Sequence, residues 1–442
     1  MIRDPALLQI NIKQIMKKKG TTVRLIAGIV LTASLFTCTS CSEEKLEGES
    51  STPPAELSFD DPNGVFVLNE GNMTTENGSL TYITPEGEVI DDAYKLVNGT
   101  ELGNVSQDMC IHDGKIYIIS QNGEHNPVGT EFNNDGLLVI ADAHTLKKID
   151  AYKKEELKGL TWPSHIAVLD EEHVYIRDNG VPEGDNGSGK IWCLNTKDRS
   201  LTEVQNTIGV PKSPLYVRNG KVYTYFNTSI TLDSSNPRSF KINYFNLIEI
   251  STSSNTASVF KSPAIMGSIP VNIVPAQSDN VFWILLKKEQ EEVYLVGKVE
   301  LLKGNYIPQI KSVALDDVPN SGSSGVMLVS PSDDTFYYTS GTFLLKGTYT
   351  EGTGASSYLP EISIEEMTDL SELDSNARIV YNGMGIHPKT GHLYINTIRG
   401  MGGLYTTNTI WEFDPAQGFN APVHKWSDYT RFPAGFFFPI AN

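Results

Sequence analysis

One pattern recurs about seven times along the chain, with a spacing of roughly 45 to 50 residues. It is an apolar run, a tight Asp-Gly or Asn-Gly type of turn, a second apolar run ending in Asn, Asp or Gly, and a third run opening on Gly. The second copy shows it whole: residues 109–111, then His112-Asp113-Gly114, then 115–122, then 136–142. Two alternating or apolar runs joined by turn residues are the hairpin signal. A period of this length built only from strands is that of a β-propeller, with one four-stranded blade per repeat. The expected fold is therefore all-β, a seven-bladed β-propeller over residues 62–442.

The hairpins between first and second strands fall at residues 106–122, 164–179, 214–227, 271–286, 325–339 and 383–396. Third strands recur at 79–83, 136–141, 189–194, 246–250, 294–299 and 409–413. The sixth copy fits worst: residues 349–377 are irregular, and 361–373 suit either a short helical turn or an outer-strand excursion. The first copy lacks its innermost strand, because residues 65–72 match a second strand. An unpaired strand edge is a liability. The aromatic C-terminal segment 435–439 is expected to pair beside 65–68 and close the ring.

The N-terminus reads as an address. A basic stretch from Met16 to Lys19 precedes an apolar run of about a dozen residues, too short for a comfortable membrane span. The run ends in Thr37-Cys38-Thr39-Ser40-Cys41, which suits a bacterial lipobox. Cys41 is the expected lipidation site, with Cys38 the alternative; an ordinary signal peptide is the plainer reading. Residues 1–15 suit an upstream extension from a mis-called start, and the polar segment 42–61 a flexible tether. Attachment would come from acyl chains alone. The domain is expected on the outer membrane, lipid-anchored, and the acidic residues after Cys41 resemble a surface-export signal, which implies display at the cell surface.

Charge removes several partners. Six of the 35 basic residues and one of the 53 acidic residues lie in the first 41 positions, so the remainder carries 29 against 52. Nucleic acid and anionic lipid both demand a basic face. Cys110 and Cys193, the two cysteines beyond Cys41, sit in apolar strands and read as buried free thiols. With no Cys/His cluster there is no reason to expect zinc, and no cofactor is expected. His125 and His165 could ligate a metal, though an ordinary surface or core histidine is the simpler role.

The loop before a first strand and the loop after a second strand emerge at the same end of a blade, around the central funnel. That end carries Asn69, Glu70, Asn72, Gln121, Asn122, Arg177, Asp178, Asn179, Asn227, Asn396 and Arg399 after second strands. Trp162, His165, Tyr429 and Arg431 precede first strands. Amides both donate and accept, so such a ring suits a large polar ligand without burying net charge. Asn, Asp and Gly are equally what turns require. Glu70 and Asp178 are the acids available for acid–base chemistry, but no catalytic motif stands out.

The run Val65-Phe66-Val67-Leu68-Asn69-Glu70-Gly71-Asn72, the run Asn77-Gly78-Ser79-Leu80-Thr81-Tyr82 and the ending Phe432-Pro433-Ala434 resemble the YncE-like propeller surface lipoproteins of gut Bacteroidota. That group includes the cobalamin-capturing BtuG family. The resemblance implies capture of a small polar ligand, a corrinoid first among them, for a TonB-dependent outer-membrane transporter. A glycan-binding or adhesion propeller, and a lactonase- or lyase-like propeller enzyme, are the alternatives.

Overall fold

The computed structural model describes residues 57–125, 133–180, 189–231, 235–236, 241–261, 264–266, 268–276, 278–288, 294–301, 310–313, 327–332, 334–350 and 361–440. The leader, Cys38, Cys41 and most of the tether lie outside them. Seven separate antiparallel sheets form a ring, a seven-bladed β-propeller. Six blades follow chain order. The second is Asn104–His112, Lys115–Gly123, Leu138–Asp142 and Lys148–Tyr152; the third is Pro163–Asp170, His173–Asp178, Lys190–Asn195 and Ser200–Glu203. The fourth begins with Tyr216–Arg218, the fifth with Ser268–Pro275, the sixth with Met327–Val329 and the seventh with Ile379–Ile386.

Blade one is composite. The last strand, Pro433–Phe437, lies inside Val65–Asn69, with Phe66 opposite Phe437 and Val67 opposite Phe436. The C-terminal segment thus supplies the strand that the first repeat lacks. It also approaches blade seven closely: a Cβ on Gly385 would lie 2.6 Å from that of Phe436. The sixth repeat resolves into a regular third strand, Phe343–Thr350, a fourth, Glu361–Asp369, and a single helical turn, Leu370–Leu373. Both readings of residues 361–373 hold in part, strand first and turn second.

No blade has a core of its own. Seven apolar clusters fill the seven gaps between neighbouring blades. Strand alternation makes this possible, since successive side chains face opposite ways. Phe66 and Leu68 pack toward blade two, and Val65 and Val67 toward blade seven. A blade alone would expose both faces, so stability comes from stacking around the ring. Cys110 and Cys193 are free thiols, half-buried and buried respectively.

Candidate functional site

First strands of most neighbouring blades touch one another around the axis. Several of them break register at the end where they begin. Bulges occur at Ala434 in blade one, at Val105 and Gln107 in blade two, at Ser164 in blade three, at Val271 in blade five, and across residues 381–383 in blade seven. A bulge adds an unpaired residue and re-aims side chains. The breaks therefore gather polar groups at one end of the channel.

Lys212 shows where they meet. It lies in the segment before the first strand of blade four, between Pro211 and Ser213-Pro214. Its Nζ donates to Gln107 Oε1 of blade two at 3.0 Å. Blade three stands between those blades in the ring, so the bond must form over the central channel. The ammonium also lies in the field of Glu70 from blade one, Asp108 from blade two and Arg177 from blade three. Asn382 Nδ2 of blade seven donates to Glu70 Oε1 at 3.1 Å. Four blades thus bring Glu70, Gln107, Asp108, Lys212 and Asn382 into one well at the end where second strands finish.

Electrostatics in the well are tense. Burial raises the Glu70 carboxyl to about 7, against the pull of Lys212 and the Asn382 bond. Burial likewise raises Asp108 to about 7, although its carboxylate accepts from the Ile166 and Met109 N–H groups at 3.0 and 2.9 Å. Crowding by protein lowers the Lys212 ammonium despite both acids, and Arg177 adds like-charge repulsion. Solvent still reaches Lys212 through the mouth. Desolvation dominates each of these shifts.

The residues singled out from sequence divide. Glu70 lies in the well. Asn69 is fully buried, donating to Ser79 and Thr81 hydroxyls and accepting from the Arg431 N–H. Asn72 caps its own turn through Thr74. Asn122 donates to Asn104 Oδ1 at 2.9 Å, and Gln121 beside it is half-buried. Asp178, 2% exposed, accepts from the N–H groups of Thr161, Trp162 and Gly180. Buried Arg177 bonds Asn179 and the Val210 carbonyl, and burial lowers it to about 10. His165 is buried against Ser164.

Asn396 is buried and accepts from Thr430 Oγ1. Asn227 is half-buried on blade four. Trp162 and Tyr429 hold neighbouring loops through their carbonyls, which accept from Asn179 N–H and Thr81 Oγ1. Arg399 is exposed at the rim, and Arg431 lies 3.7 Å from Glu76. Asp178 is therefore committed to the backbone, and the second acid of the well is Asp108. Gln107, Asp108 and Asn382 escape a search of the loops because they sit within first strands, and Lys212, in the segment before one, was passed over. The polar run Asn104 to Asp108 ahead of Met109 was the local signal. No group of three or more His, Cys, Asp or Glu suited to a metal occurs among the described residues. Among them, no helix is long and apolar enough to cross a membrane.

The chain matches the family described as "Domain of unknown function (DUF5074)" over residues 63–183 and 285–439, more than half its length. It belongs to that family. No curated protein matches it. Among solved structures it is similar to a quinonprotein alcohol dehydrogenase-like protein from Bacteroides thetaiotaomicron VPI-5482. That likeness has 16% identity and a TM-score of 0.51 and covers 87% of this chain and 79% of that one. A candidate 6-phosphogluconolactonase from Bacteroides uniformis ATCC 8492 is similar at 11% identity and a TM-score of 0.50, covering 85% and 98%. At these identities the likeness is one of fold.

Proposed function

We propose that this DUF5074 propeller captures a small polar ligand in the well and hands it to a TonB-dependent outer-membrane transporter. The observation behind this reading is the Lys212–Gln107 bond across the channel, with Glu70, Asp108 and Asn382 beside it. Such a floor offers donors, acceptors and both signs of charge, which suits a ligand rich in amides or hydroxyls. The lipobox at Cys41 supports a lipid-anchored, surface-exposed position. A corrinoid is the first ligand to test. After incubation with cyanocobalamin and desalting, the protein should retain the cobalamin visible absorbance, and Lys212→Met should release it. A colourless protein would exclude that ligand.

A second reading has its own support. Two carboxyls near 7 in one well suit general acid–base chemistry at neutral pH. In that case Glu70→Gln would abolish turnover of a lactone substrate while leaving its binding intact. Loss of both together favours capture.

A further inference from the structure

We propose that Phe432, Tyr381 and Tyr405 form an aromatic wall at the mouth of the well. The wall stacks on a flat ring of a ligand whose anionic group is taken by Lys212. This rests on the reading of the well as a ligand site.

Phe432 has a left-handed backbone, φ 53°. Such a conformation is uncommon for a bulky residue and persists only where the surroundings over-determine it. Those surroundings are present. The Phe432 carbonyl accepts from Glu70 N–H at 2.7 Å, and the Arg431 carbonyl accepts from Gly71 N–H at 2.9 Å. Asn382, which donates to Glu70, is also left-handed, at φ 39°. Two left-handed residues from two elements thus hold Glu70, Phe432 at its backbone N–H and Asn382 at its carboxylate. Backbone strain of this kind gathers at ligand clamps.

The rings are arranged as a wall. Phe432 stacks on Tyr405 with centroids 4.2 Å apart and planes 20° from parallel, and Tyr381 lies 5.0 Å from Phe432. Tyr405 Oη donates to Glu76, and the Arg431 guanidinium lies on the same carboxylate, so the outer side is braced. Phe432 remains partly open to solvent. Met401 and Leu404, in the segment just before Tyr405, are exposed at 56% and 48%. Glycine would satisfy this backbone without strain. A ring stands there instead, stacked on Tyr405 and still part-exposed beside Glu70.

The test uses 8-anilinonaphthalene-1-sulfonate, flat rings bearing one sulfonate, titrated by fluorescence into the full chain. Phe432→Gly should stay folded, since relieved strain offsets part of the lost stacking, and should weaken dye binding about tenfold or more. Phe432→Tyr should restore most of that binding, and Lys212→Met should weaken it and reduce its salt dependence. If Phe432→Gly binds like the parent while Lys212→Met does not, the wall falls and the well stands. If neither variant weakens binding, both readings fall. A melting temperature lowered by Phe432→Gly and recovered by Phe432→Tyr, with binding unchanged in both, would make the ring a packing element and overturn the proposal.

Discussion

Two glutamates at the junction of blades seven and one have opposite fates. Glu412, near the end where the chain enters the ring, accepts from His392 Nδ1 at 2.7 Å, Tyr394 Oη at 2.8 Å and His424 Nδ1 at 2.6 Å. Burial pushes its carboxyl up, but these bonds outweigh it and hold the group below the usual range. Glu70, at the mouth, has one side-chain donor, Asn382, and rises to about 7. Glu412 is buried and Glu70 half-buried by exposure, so exposure does not explain why Glu412 keeps its charge. The number of donors aimed at each carboxylate decides which stays charged. The first is a clasp in the seam, and the second is held unsatisfied where a ligand can reach it.

The largest test removes what both share. Deleting residues 432–442 takes away the Phe432 carbonyl beside Glu70 and the Phe436 ring that packs on Tyr394, a donor to Glu412. No cooperative unfolding transition should remain by circular dichroism; an unchanged melting temperature would sink the closure model. Next, Glu412→Leu strands two histidines and a tyrosine and should cost about 3 kcal/mol in urea denaturation.

Glu70→Gln should act in the other direction. The folded value near 7 lies above the ordinary 4.5, so the folded state holds its proton more tightly than the unfolded chain. Stability then falls as pH rises from about 4.5 to about 7. The variant should be more stable than the parent at pH 8, on the order of 1–3 kcal/mol, and equal to it near pH 4. Asp108 retains part of that slope. Glu412 has the opposite sign, its contribution being present above 4.5 and lost as pH falls through its depressed folded value. The smallest effect concerns burial that outweighs a single hydrogen bond. Burial raises Cys110 to about 12 and Cys193 to about 11, so both thiols should resist Ellman's reagent at pH 8 until the protein unfolds.

The strands were readable because alternation and turn chemistry are local. Val65-Phe66-Val67-Leu68 has to bury both faces, and only a closing strand inside it completes the sheet. Phe343–Thr350 was missed because Gly347 and the polar Lys346 and Thr348 blur its apolar run. The well was legible only at Glu70. Asp108 and Lys212 come together through ring closure and through bulges, which are register events between strands distant in sequence. Arg177 and Asp178 look like ligand residues by type and position. Their side chains are consumed by Val210, Asn179, Thr161, Trp162 and Gly180, a use that only the folded loops reveal.

The start of the described chain is pinned by His144, whose carbonyl accepts from Phe59 N–H and whose ring meets Asp60 and Ser58. His144 follows the third strand of blade two, at the end of the channel away from the well. The closing strand also runs toward that end. The described chain therefore begins and ends on the side of the ring away from the well. A contact made with that side leaves the mouth of the well uncovered.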